Sequence, residues 1–194
     1  MVAMQLRLGI LISSVREGRA GEPIAKWFVQ AAARHGAFAP ELIDLKAVNL
    51  PMLDEPHHPR LQQYTRESTK TWSAVIAGCD AFVFVTPEYN FGPPPALVNA
   101  LDHLYVEWQY KPVGFVSYGG VSAGTRSIQA AKQVVTALKM MPMFESVSIP
   151  FVSKVVDTAA GTFDSEQQEK PAAAMLTELA RWTRALAVLR TSST

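Results

Sequence analysis

The sequence predicts a doubly wound α/β fold built on a five-stranded parallel sheet. Short continuous apolar runs alternate with stretches of helical period along the chain. Such runs suit strands buried on both faces, as happens when helices cover both sides of a parallel sheet. In addition, three segments that follow predicted strands are rich in hydroxyl, glycine or proline residues. In a parallel sheet these segments all emerge at the carboxyl edge, where ligands bind near the point at which strand order reverses.

The first strand is LRLGILI (Leu6 to Ile12), and the helix GEPIAKWFVQAAARHG follows it. Pro23 suits a first helical turn, and Ile24, Phe28 and Ala32 share one face. FAPELIDL (Phe38 to Leu45) is a second, weaker strand. The proline-containing segment VNLPMLDEPHHP then leads into a helix across Thr65 to Ala77. AFVFV is the third strand, PALVNALDHLY a helix, KPVGFVSY (Lys111 to Tyr118) the fourth strand and Ala123 to Lys139 another helix. VSIPFV is the fifth strand. In the last helix, Pro171 to Leu189, the spacing puts Met175, Leu179, Trp182, Leu186 and Leu189 on one face, as core packing requires.

Composition excludes several classes of function. The 194 residues, 48% of them hydrophobic, suffice for one domain, 1–194, with a sizeable core. Eighteen basic and 17 acidic residues are spread along the chain for a net charge of +1, so no basic footprint for nucleic acid exists. No apolar stretch reaches the about 18 residues that a membrane span needs. LRLGILIS lacks the flanks of a signal peptide, and the single cysteine, Cys79, excludes an internal disulfide framework and a cysteine zinc cluster. A soluble protein of the reducing cytoplasm is expected. His57 and His58 are adjacent in a proline-rich loop without metal-ligand spacing, so no metal site is expected.

The chemistry concentrates in the three loops. SSVREGRAG, after the first strand, offers the hydroxyls of Ser13 and Ser14, the charges of Arg16 and Arg19, two glycines and then a helix start. Those features make an anion cradle, or alternatively a solvated turn. Neither a triphosphate loop nor a dinucleotide fingerprint is present, so a single phosphate is the expected anion. TPEYNFGPPP, after the third strand, sets Glu88, Tyr89 and Asn90 among four prolines, which forbid both helix and continued ladder. SYGGVSAGTR, after the fourth strand, has three glycines that permit close approach of backbone to a flat ligand, with Tyr118 at its start; a flexible turn is the alternative.

Together SSVREGR, TPEYNFGPPPALVNALDHLY and EWQYKPVGFVSYGG resemble the NADPH-dependent FMN reductase family, a flavodoxin-like group that includes quinone, azo-dye and chromate reductases. The order and spacing of the segments match, and PEYN followed by an NALD helix is the specific signal. The resemblance implies a three-layer α/β/α domain of flavodoxin-like topology. It places Ser14 and Arg16 at the FMN phosphate, with Ser13 where glycine is usual and Arg19 where many members have serine. Pro87, Glu88, Tyr89 and Asn90 would wrap the isoalloxazine and ribityl side, largely through backbone, and Ser117, Tyr118, Gly119 and Gly120 would form the other wall. Arg126 ends the third loop in an Ala-Gly-Thr-Arg context rather than the family's Gly-Gly. Glu88 is expected to hold its loop rather than to donate a proton.

The activity implied is transfer of hydride from NADPH or NADH through flavin N5 to a quinone, free flavin or similar acceptor by a ping-pong mechanism. No side-chain nucleophile is needed, because the flavin carries the chemistry. A homodimer or homotetramer is implied as well. The alternatives are a flavodoxin-like electron carrier, against which the near-neutral charge argues, and a non-catalytic FMN-binding module.

Overall fold

The computed structural model describes residues 5–191. Five parallel strands, β1 (Leu6–Ile12), β2 (Phe38–Asp44), β3 (Ala81–Pro87), β4 (Pro112–Tyr118) and β5 (Met141–Ile149), lie in the order β2-β1-β3-β4-β5. This is the flavodoxin-like arrangement that was expected. The order reverses between β1 and β3, because the chain steps outward to β2 before crossing back.

Six α-helices are present among the described residues: α1 (Gly21–His35), α2 (Leu45–Val48), α3 (Glu67–Ala77), α4 (Pro95–Asp102), α5 (Thr125–Ala137) and α6 (Glu169–Thr191). The strands alternate their side chains between two cores. Ile10, Ile12, Val83 and Val85 face α1 and α6, whereas Leu11, Phe82, Phe84 and Phe115 face α3, α4 and α5. That division follows from the period of two along a strand. Ile24, Phe28 and Ala32 of α1 are fully buried together, as their spacing predicts.

Several elements differ from expectation. α4 stops at Asp102 rather than Tyr105, and Nδ1 of the following His103 lies 2.7 Å from the Asn99 carbonyl. β5 begins at Met141, well before VSIPFV, and Phe151 and Val152 lie outside it. As an edge strand with one neighbour, it buries Met143, Val147 and Ile149 and carries Glu145, Ser146 and Ser148 between them, so it lacks a continuous apolar run. On α6, Met175 and Leu179 are buried, but Trp182 and Leu189 are 37% and 45% exposed, because the buried face runs through Ala172, Leu176, Ala180 and Thr183 instead. The two-residue strands β6 (Val156–Asp157) and β7 (Thr162–Phe163) form a small antiparallel hairpin against α1, where Phe163 meets Trp27 edge-on at 5.1 Å.

Two buried or half-buried ionic groups fix α3. At its start, Arg66 gives no side-chain cap; instead Glu55 accepts from the N–H groups of Thr65 (2.8 Å) and Arg66 (3.0 Å) and from the Thr65 hydroxyl (2.8 Å). Burial raises the carboxyl's pKa, but these donors outweigh it and hold it down to about 2. At its end, Lys111 Nζ donates to the carbonyls of Ile76 (2.8 Å) and Ala77 (3.3 Å). Burial pulls that ammonium's pKa down to about 8.

The Glu55 cap has a pH signature. Its folded pKa lies below the ordinary carboxylate value, so its contribution is complete above about pH 4.5 and is lost as the pH falls toward 2. Glu55→Gln is expected to cost about 1 kcal/mol at pH 7. Urea unfolding at pH 7 and pH 3 checks this; the variant's deficit should shrink at pH 3, and an equal deficit at both values would show that charge plays no part.

Candidate functional site

The three loops meet at the carboxyl edge of the sheet. Ser13 leaves β1 with its N–H and its hydroxyl both donating to the Val85 carbonyl of β3, at 3.1 and 2.9 Å. Ser14, next along, shares a 3.1 Å hydrogen bond with the hydroxyl of Tyr118 at the end of β4. Arg19 reaches back to β2: Nη1 donates to the Ser14 carbonyl (2.9 Å) and Asp44 Oδ1 (2.8 Å), and Nη2 donates to Asp44 Oδ2 (2.5 Å). One loop is thereby stitched to three other strands.

A glycine is required where this loop enters α1. A Cβ on Gly21 would lie 2.6 Å from the Tyr118 hydroxyl, a contact that real side chains do not make. Tyr118 is buried, and burial pushes its phenol's pKa up, so it stays a neutral hydrogen-bonding post under the loop. Among the described residues, the backbone N–H groups of Val15, Arg16, Glu17 and Gly18 have no acceptor within the protein. Arg16 is exposed and has no carboxylate partner; its guanidinium carbon lies 5.9 Å from the centre of the Tyr89 ring.

The second and third loops are joined by charge. Glu88, its side chain only 8% exposed, pairs with Arg126 through Nε at 2.7 Å and through Nη2, and accepts from the Ser122 hydroxyl at 3.2 and 3.3 Å. The Arg126 hydrogen bond holds the Glu88 carboxyl below the usual carboxylate range. Beyond Glu88 the chain makes a tight hairpin, in which Tyr89 and Gly92 exchange both backbone hydrogen bonds at 2.9 Å. Asn90 and Phe91, at its tip, have φ of +49° and +70°. In the third loop, Gly124 takes φ +78° with the Tyr118 backbone so close that a Cβ would lie 2.8 Å from its carbonyl.

These walls enclose a cleft of about 220 Å³ lined by Ser14, Arg16, Arg19, Pro87, Glu88, Tyr89, Tyr118 and Gly119, with Glu17, Gly18, Ala20 and Val152 completing it. Eight of the residues singled out in the sequence therefore share one cavity. The other four do not line it. Ser13 is spent on Val85, Ser117 is buried with a hydroxyl that has no partner, Asn90 sits on the exposed hairpin tip and Gly120 is exposed in its loop. Asp44, which neutralises Arg19, and Val152 were not anticipated. Asp44 ends the strand beside β1, and only the register of β1 against β2 brings it within reach.

Chemically, the cleft combines free N–H donors and one guanidinium without a carboxylate partner with aromatic and glycine surface. That arrangement suits a flat ligand carrying a single phosphate. A cluster of three or more His, Cys, Asp or Glu able to hold a metal is absent among the described residues. Among the same residues no helix is long and apolar enough to cross a membrane.

Fold and strand order define a flavodoxin-like protein with a cleft at the carboxyl edge of its sheet. The model of the NADPH-dependent FMN reductase family matches residues 6–154. The chain is 44% identical over 157 residues to an NAD(P)H-dependent FMN reductase of Schizosaccharomyces pombe, covering 77% of this chain and 78% of that one. It is 32% identical over 146 residues to one of Saccharomyces cerevisiae, covering 70% and 76%. The fold is that of the flavoenzyme NAD(P)H:(acceptor) oxidoreductase FerB of Paracoccus denitrificans, with a TM-score of 0.74 at 20% identity over 93% of this chain and 98% of that one. The chain belongs to the NADPH-dependent FMN reductase family. It is an oxidoreductase with FMN as cofactor and NAD(P)H as electron donor.

The two arginines of the first loop should separate in a stability measurement. Arg19→Ala leaves Asp44 without its partner and the loop unstitched, so the cofactor-free protein should lose about 1–3 kcal/mol. Arg16→Ala removes an exposed side chain with no ion pair and should stay within about 0.5 kcal/mol of the parent. Denaturant melts of both cofactor-free variants test the contrast.

Proposed function

We propose that the chain is an FMN-dependent NAD(P)H oxidoreductase whose acceptor is a quinone, free flavin or similar flat molecule, working in ping-pong order. The chemistry supplied by bound FMN is acceptance of a hydride at N5 from NAD(P)H and delivery of the two electrons to the acceptor after the nicotinamide has left. A 2-hydroxy-1,4-benzoquinone reductase of a Burkholderia species, 26% identical over 117 residues, supports a quinone as acceptor.

The observation that carries this reading is Arg16, the cation of the cleft without a carboxylate partner, in a loop whose N–H groups at residues 15–18 have no acceptor within the protein. Arg16 and those N–H groups would take the phosphate, with Ser14 held ready by Tyr118. Arg19 acts one step back, fixing the loop through Asp44 rather than meeting the anion with free charge. Pro87, Glu88 and Tyr89 would line one side of the ring system and Tyr118 and Gly119 the other, with Gly120 and Ser117 shaping that second wall from behind. Glu88 carries no proton to the reaction, because Arg126 keeps it ionised. Its work is to bind the two loops to each other. Asn90 contributes through its backbone by turning the hairpin, and Ser13 anchors the first loop to β3 through its N–H and its hydroxyl.

Assembly as a homodimer or homotetramer fits the exposed apolar side chains Val15, Met52 and Leu53 on the flank of the cleft, and sedimentation measures it. A cytoplasmic location fits the single buried thiol, Cys79.

Arg16→Ala is expected to weaken FMN binding roughly 10- to 100-fold, the loss of one charge-assisted bond of about 1.5–3 kcal/mol, read by titration of flavin fluorescence. Unchanged affinity would remove Arg16 from the phosphate. For the activity, FMN-loaded protein should bleach on anaerobic addition of NADPH and recolour with a quinone. Bound flavin that NADPH leaves oxidised would instead indicate a carrier or binding module.

A further inference from the structure

Phe91 is an exposed aromatic in a backbone conformation that disfavours it. The residue is 67% exposed and its φ is +70°, the left-handed region that bulky side chains avoid. The Tyr89–Gly92 hairpin demands positive φ at both tip residues, where Asn-Gly is the ordinary solution. Asn90 meets that demand, but the second position holds a phenylalanine. Strain of this kind persists where the surroundings over-determine it, and it gathers at ligand clamps.

The surroundings here are specific. The Arg126 guanidinium carbon lies over the Phe91 ring, 3.9 Å from its centre. The same guanidinium is neutralised by Glu88, which lines the cleft, and Ser122 completes the cluster. Arg126 therefore presents no net charge to a ligand; it acts as a backing plate that fixes the ring's plane. Val121, beside Ser122, is 80% exposed and extends the apolar rim. Phe91 is otherwise largely exposed, on the hairpin whose first residue, Tyr89, is a wall of the cleft.

We infer that Phe91, backed by Arg126, is a stacking platform at the mouth of the flavin cleft that selects flat, uncharged aromatic acceptors. The inference rests on the oxidoreductase reading above and adds to it a residue for acceptor choice. In the reaction it serves, NAD(P)H gives up a hydride, and a quinone takes two electrons and two protons to become the quinol, the second proton coming from solvent. Phe91 contributes only the surface on which the quinone lies. Ferricyanide is octahedral, takes one electron at a time and consumes two ions per NAD(P)H, so it gains nothing from such a surface.

The test compares Phe91→Gly with the parent, both loaded with FMN. Glycine relieves the positive φ, so the variant should melt no lower than the parent, and a loss of activity cannot be ascribed to misfolding. Removing one aromatic stacking partner is expected to raise the Kd of the oxidised enzyme for 2-methyl-1,4-naphthoquinone, and the KM for it, roughly tenfold. FMN affinity and ferricyanide reduction should be unchanged, and Phe91→Tyr should restore the quinone values. An unchanged quinone Kd in Phe91→Gly, or an equal loss with ferricyanide, overturns the platform. Because the Kd is measured without NADPH, it reports on Phe91 even if NADPH fails to reduce the flavin, which would count against the oxidoreductase reading alone.

Discussion

The placement of β1 between β2 and β3 is the constraint on which the site depends. Because every strand runs the same way, each connection must return across the sheet, and the chain leaving β1 goes one way while the chain leaving β3 goes the other. The loops part at that point and leave a crevice that no side chain of the core fills. Ser13 marks the divide, since its two hydrogen bonds to Val85 are the last link between β1 and β3 before the loops separate.

Around that crevice, charge is largely settled within the protein. Arg19 is matched by Asp44, Lys46 by Glu17, and Arg126 by Glu88. Each pair also joins two segments that are remote in sequence, so neutralisation and loop fixation are one event. A charge left over in such a setting is conspicuous, because a partner carboxylate would compete with any incoming anion. Arg16 is the charge left over, and it points at an aromatic ring rather than at an acid.

The core of the sheet was legible because β1, β3 and β4 are buried on both faces and must be apolar at every position. β5 was harder: an edge strand needs apolar residues only on its inner side, and Pro142 together with the polar Glu145 and Ser146 obscured the strand's first half. The β6–β7 hairpin, with two residues per strand, has no period to detect. At the site, glycine, proline and hydroxyl content identified all three loops. What those letters do not carry is direction. Tyr118 was expected to face the ligand as a wall, and its hydroxyl proves to be a strut under Ser14 as well. The Arg19–Asp44 and Glu88–Arg126 pairs join residues 25 and 38 positions apart, and only strand register brings such partners together.

The stitched first loop also bears on how the cofactor comes and goes. A cradle closed by Arg19, Asp44, Ser14 and Tyr118 has already given up its freedom before any ligand arrives. Binding then orders little chain, and the association carries a small entropic penalty from the protein side. Loss of FMN, by the same reasoning, unlocks no loop and exposes no core. The cradle's own hydrogen bonds thus hold the loop in the empty protein, and bound FMN adds to the stability of the fold by mass action.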